Sequence, residues 1–185
     1  MFYRIMHTLF FKKYFFINNF DANLIKCQDN NTSIIYRNYR KKNYLEDIFR
    51  LKIICKKYKY KLFLANDVKL AVKLGLDGAY LPSFNNTYNH LSYSLKKDFI
   101  LLGSAHNLKE IKIKERQKVN RIFLSSIFKK NKNFLGINKF KNFIRNYNKE
   151  FVALGGIDQS NIKKLKLLSI REFAGISFFI KKKAP

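Results

Sequence analysis

Carboxylates are scarce in this chain: 12 Asp and Glu stand against 38 Lys and Arg, leaving a net charge of +26 over 185 residues. Such a surface repels cations and draws anions, and nucleic acid is the first partner it brings to mind. The lysines, however, are spread along the whole chain rather than gathered into an arm or stripe, and they travel with Asn, Ile, Phe and Tyr. A lysine-coated globular surface is therefore the preferred reading, and the charge fits an anionic small molecule without identifying one. Cysteine is nearly missing too. Cys27 and Cys55 form no CxxC or His/Cys pattern, which excludes a zinc site of the usual spacing, and both read as reduced, half-buried thiols. With two prolines and no low-complexity stretch there is no domain boundary, so 1–185 reads as one domain with a basic extension at 1–12. No run approaches the roughly 20 apolar residues of a membrane span. Lys12 and Lys13 break the apolar N-terminal stretch that a signal peptide needs. A cytoplasmic location is expected.

What the chain does have is core material: 47% hydrophobic and 16% aromatic residues, enough for one packed domain. Short β-branched or aromatic runs alternate with longer, lysine-decorated segments of helical period. The runs at 14–18, 33–37, 61–65, 78–81, 99–103, 121–125, 151–155 and 172–177 read as strands. Helices are expected at 44–58, 67–74, 108–116 (with Asn107 as N-cap) and 158–168, the last placing Ile162, Leu165 and Leu168 on one side. Strands that alternate with helices favour a parallel sheet, and eight of them suit a closed α/β (β/α)₈ TIM barrel. The chain is short for that fold. It must be trimmed, with the segment 82–98 a loop and the last helix reduced or absent.

Two neighbouring turns carry the chemistry. Gly155-Gly156 follows the seventh run, and Gly175-Ile176-Ser177 ends the eighth. Glycines there let backbone N–H groups approach an anion, and Ser177 adds a hydroxyl. In barrels the loops after strands seven and eight commonly bind phosphate. Either turn alone would pass for a tight connection; side by side they point to phosphate. Other features read as bland. His7 and His90 are expected on the surface, Tyr58-Lys59-Tyr60 fits helix packing better than base stacking, and Lys181-Lys182-Lys183 fits a solvated tail.

The whole order of motifs resembles the thiamine phosphate synthase/TenI family. Besides the GG and GIS turns, the resemblance rests on Ile35-Tyr36-Arg37, on Phe63-Leu64-Ala65-Asn66-Asp67 and on the run from Ala71 to Leu81. It continues through Gly103-Ser104-Ala105-His106 and through Ser125-Ser126-Ile127-Phe128 with Lys132 and Leu135-Gly136. It implies a thiamine-biosynthesis barrel that binds thiazole phosphate, and that either couples it to a pyrimidine diphosphate or isomerises it. The residues it implies for phosphate and substrate are Asn66, Ser104, Gly155, Gly156, Gly175 and Ser177. It puts Arg37, Lys132 and His106 in catalytic positions, His106 as the acid–base of the TenI branch; histidine as a residue type exchanges protons near neutral pH. Mg²⁺ would be held by two aspartates. Asp67 is one, but Asn85 stands in the loop where the second belongs, and it lacks the carboxylate charge a hard dication prefers. A Lys expected after Arg37 falls at Tyr39, with Arg40 and Lys41 as substitutes, and a Gln falls at Ile35. The alternative from another class is a non-catalytic basic barrel that binds phosphorylated ligands or RNA. Oligomeric state is left open.

Overall fold

The computed structural model describes residues 11–39 and 44–180. Its eight strands are β1 Lys12–Ile17, β2 Thr32–Tyr36, β3 Leu62–Ala65, β4 Gly78–Leu81, β5 Ile100–Ala105, β6 Arg121–Ser125, β7 Glu150–Leu154 and β8 Glu172–Gly175. All pair in parallel and in chain order, and β1 joins β8 to close the barrel. The expected α/β TIM barrel is thus present. The helices are α1 Ala22–Lys26, α2 Leu45–Tyr58, α3 Val68–Lys73, α4 Leu108–Arg116, α5 Gly136–Arg145 and α6 Ser177–Ile180, with 3-10 turns at Asn89–Ser92 and Ile162–Leu168. No helix among the described residues is long and apolar enough to cross a membrane. His7, Arg40, Lys41, Lys181–Lys183 and most of the 1–12 extension lie outside the described residues.

Strand alternation divides the core in two. Along β1, Phe15 and Ile17 face the helices while Tyr14 and Phe16 point into the barrel. The interior is aromatic: Phe123 meets Tyr14, Phe16 and Tyr80 with ring centroids 4.9, 6.0 and 5.5 Å away, all edge-on. Each buried ring contributes about 2–3 kcal/mol. The N-terminal end of the barrel is closed by ions. Arg121 Nε lies 3.0 Å from Glu172 and its Nη2 2.8 Å from Glu150, while the Tyr14 hydroxyl donates to Glu172 at 3.0 Å.

Several expectations need correction. Helices α1 and α5 stand where the sequence pattern predicts none; α5 buries Phe140 and packs Ile137 and Ile144 against the core. The segment 158–168 forms a 3-10 turn from Ile162, not an α-helix, although Ile162, Leu165 and Leu168 are buried as expected. β8 stops at Gly175, so Ser177 opens α6 instead of ending a strand. His90 is buried, not on the surface, and its Nε2 lies 2.9 Å from the Gln117 carbonyl. The thiols differ: Cys27 is exposed and Cys55 buried, where exclusion from water pushes its ionisation up to about 12. The 82–98 segment is a loop carrying one 3-10 turn, as expected, and Tyr60 packs in the core with its hydroxyl on the Gln28 carbonyl at 2.6 Å.

Candidate functional site

The parallel strands bring all their C-terminal ends to one mouth, and two groups of residues gather there. On one side a cavity of about 490 Å³ is lined by Phe16, Arg37, Lys129, Gly155, Gly156, Gly175 and Ser177, among others. The Arg37 guanidinium lies over the Phe16 ring, 5.0 Å from its centroid. Among the described residues neither Arg37 nor Lys129 has a carboxylate partner. The amides of Gly156, Ile157 and Ile176 likewise donate to nothing among the described residues. Two uncompensated cations, a hydroxyl and free N–H groups make this cavity suited to an anion.

Glycine is required at 155 and 156 for a second reason. Their φ angles are 103° and 74°, which side chains resist. A Cβ on Gly156 would stand 2.5 Å from the Lys129 nitrogen. The β6 loop folds back onto this pair, with the Phe128 amide on the Gly155 carbonyl at 2.9 Å. That fold-back delivers Lys129 to the cavity. Lys132, the lysine expected from the motif, is exposed in the same loop and does not line it. No local signal marked Lys129; its place depends on the loop doubling back.

On the opposite side stand the residues after β3, β4 and β5. Asp67 caps α3, its Oδ1 accepting from the Leu70 amide at 2.8 Å. Asn66, at φ 64°, accepts through Oδ1 from Asn85 Nδ2 at 2.7 Å. The Asn85 Oδ1 is already taken by Thr87 N, Thr87 Oγ1 and Gln117 Nε2, at 3.1, 3.2 and 3.1 Å. Beneath this loop the buried Lys114 ammonium donates to the carbonyls of Pro82 and Asn85, each at 2.8 Å. Burial lowers its pKa to about 8, against a smaller opposing pull from Glu110. An amide turned nitrogen-first toward Asn66, an oxygen already saturated, and a neighbouring ammonium do not fit a dication. Among the described residues no three His, Cys, Asp or Glu side chains gather as a metal ligand set.

His106 sits after β5, ahead of the cap of α4, where its amide donates to Glu110 Oε2 at 2.7 Å. Its Nδ1 lies 2.9 Å from Ser125 Oγ and 3.2 Å from the Ser125 carbonyl. With the proton on Nδ1 the Ser125 carbonyl accepts it, and with Nδ1 bare the Ser125 hydroxyl donates to it, so Ser125 holds the ring in either tautomer. His106 does not line the 490 Å³ cavity. Ser104 is buried within the barrel near the Tyr80 phenol, whose pKa is raised by burial.

Comparisons with known proteins bear on the family and the fold. A family model described as thiamine monophosphate synthase matches residues 22–179. A thiamine-phosphate synthase of Prochlorococcus marinus is 33% identical over 129 residues, covering 67% of this chain and 37% of that protein. One from Clostridium tetani is 26% identical over 150 residues, covering 79% and 72% respectively. The chain therefore spans little more than a third of the first of these relatives. The solved thiamine phosphate pyrophosphorylase from Pyrococcus furiosus shares the fold, with a TM-score of 0.73 at 16% identity over 92% of this chain and 88% of that one. On the family match and the barrel together, the chain belongs to the thiamine monophosphate synthase family.

Proposed function

We propose that this chain is a thiamine-biosynthesis barrel that binds thiazole phosphate at its mouth. The phosphate occupies the cavity beside β7 and β8, and the ring extends toward β5. The observation that carries the reading is the pair of cations, Arg37 and Lys129, facing one cavity with free amides and no carboxylate among the described residues. Half-buried Arg37 and exposed Lys129 together offer charge-assisted hydrogen bonds that an anion can take up. The chemistry this arrangement favours is proton transfer on the thiazole ring. His106 would be the acid–base through Nε2, with Ser125 orienting the imidazole from the other nitrogen. No step of this reading passes through a metal.

Coupling to a pyrimidine diphosphate is the second reading. Two cations in one cavity favour it, because a departing pyrophosphate needs its charge neutralised, while the saturated Asn85 disfavours the metal that would share that work. Calorimetric titration with thiazole phosphate tests the binding site. Wild type is expected to bind, and Lys129→Ala and Ser177→Asp to bind at least about tenfold more weakly. Glycine substitutions are unsuitable, because a side chain at 155 or 156 strikes the β6 loop. Unchanged affinity in both variants overturns the site. Absorbance assays of isomerisation, and of coupling with Mg²⁺ and pyrimidine diphosphate, then separate the two chemistries. If neither activity appears, the phosphate-binding barrel alone remains.

A further inference from the structure

Two exposed aromatic rings meet across the mouth from separate loops. Tyr39 follows β2 and Phe84 follows β4, with centroids 5.5 Å apart and planes at 78°. They are 49% and 62% exposed. Phe84 is held from beneath: the carbonyls of Pro82 and Asn85, on either side of it, both accept from the buried Lys114 ammonium. Gln117 Nε2 adds a bond to the Asn85 carbonyl at 3.1 Å, and the Asn85 amide closes the turn on Pro82 at 3.0 Å. A buried charge therefore braces the turn that presents an exposed phenylalanine. Burying a lysine is costly, and a solvent-facing ring that only filled space would not need such support.

Tyr39 is tied to the anion cavity through Arg37. That guanidinium lines the cavity, covers Phe16 and influences the phenols of both Tyr39 and Tyr80. Tyr39 follows Arg37 by two residues at the same rim of the barrel, beside the cavity and outside its lining. We propose that Tyr39 and Phe84 form an aromatic wall that receives the flat heteroaromatic ring of a phosphorylated ligand and makes the mouth prefer aryl over alkyl phosphates. This rests on the phosphate reading of the cavity. Rings set nearly at right angles can offer one face and one edge to a planar guest, the two arrangements aromatic pairs favour.

The experiment uses the full chain and four probes: inorganic phosphate, a short alkyl phosphate, thiazole phosphate and the unphosphorylated thiazole alcohol. Tyr39→Ala and Phe84→Ala should each weaken thiazole phosphate about 5- to 100-fold, the range of one stacking contact. Inorganic and alkyl phosphate should bind both variants as they bind wild type. Equal losses for alkyl and thiazole phosphate, or no loss for thiazole phosphate, overturn the wall. The chain has no tryptophan, so Phe84→Trp places a single indole emitter in the wall while keeping an aromatic ring there. Its emission should respond to thiazole phosphate and, at higher concentration, to the alcohol. If wild type binds no phosphate at all, the cavity reading falls and this emission judges the wall by itself. A response to the alcohol upholds the wall, and silence up to the solubility limit of the alcohol removes it.

Discussion

At the N-terminal end of the barrel Arg121 is held by two carboxylates, and Glu172 by a guanidinium and a phenol. At the C-terminal end Arg37 and Lys129 face a cavity with no carboxylate partner among the described residues. Both ends have hollows of similar scale. Of two at the lower end, one of about 510 Å³ is lined by Phe11, Lys166, Ser169, Ile170 and Arg171, with Lys166 already engaged; the other, about 360 Å³, is lined by Lys149 and Arg171 but also by Glu150 and Glu172. Charges of both signs neutralise one another there, so that hollow has little to offer an anion. The upper one, about 490 Å³, carries positive charge alone. The same strands run through both ends. The charges at the lower end are paired within the chain, and those at the upper end are open to an anion.

The largest effect should come at the mouth, and it should leave the fold alone. His106→Asn is expected to lower thiazole isomerisation about 10²- to 10⁴-fold in an absorbance assay. Thiazole phosphate affinity and the thermal midpoint should hardly move. A matching loss of affinity would make His106 a binding residue instead. Next in size is the opposite kind of change. Glu172→Ala leaves Arg121 half-buried with only the exposed Glu150 for a partner, at a cost of about 2–4 kcal/mol in denaturant unfolding. Ligand affinity should be unchanged, since the cluster lies a full strand length from the mouth. Arg37→Ala should do the reverse, weakening thiazole phosphate about 10- to 100-fold while altering stability by less than about 1 kcal/mol. If Arg37→Ala and Glu172→Ala both moved stability and binding together, the division of labour between the two ends would fail.

The sequence made one of these ends far easier to foresee than the rest of the molecule. All eight strands could be read because β-branched and aromatic runs mark them directly, and the GG turn stood out because few other residues tolerate φ of 103° and 74°. Helix α5 was hidden by Asn and Lys, although Ile137, Phe140 and Ile144 recur at i, i+3 and i+7. Lys129 could not be told from Lys132, because only the fold-back of the β6 loop onto Gly155 chooses between them. Lys114 reads as one more surface lysine of an amphipathic helix, yet it is fully buried. The meeting of Tyr39 and Phe84 is set by the closing of the barrel between β2 and β4, and no local pattern records it.

Lys114 also supplies the smallest and most specific of the expected effects. Its pKa in the folded chain is about 8, below the ordinary 10.5, and burial is the chief cause. Below about pH 8 the folded and unfolded chains both hold this proton, so it adds no slope to stability. Between about 8 and 10.5 the folded chain has released the proton and the unfolded chain still binds it. Stability from this group therefore rises with pH across that window, no more steeply than about 1.4 kcal/mol per pH unit, the limit for one proton. The many surface lysines titrate too, so the measurement must be a difference. Lys114→Met removes one donor from the carbonyls of Pro82 and Asn85, and below about pH 8 it should be less stable by about 1–3 kcal/mol. The gap between wild type and variant in denaturant unfolding should be flat up to about pH 8 and widen above it. A gap that narrowed instead would mean that Lys114 is more easily charged in the folded chain than in the unfolded one. The loop beneath Phe84 would then be held by an ammonium whose burial costs nothing, and its bracing would say nothing about the ring it presents.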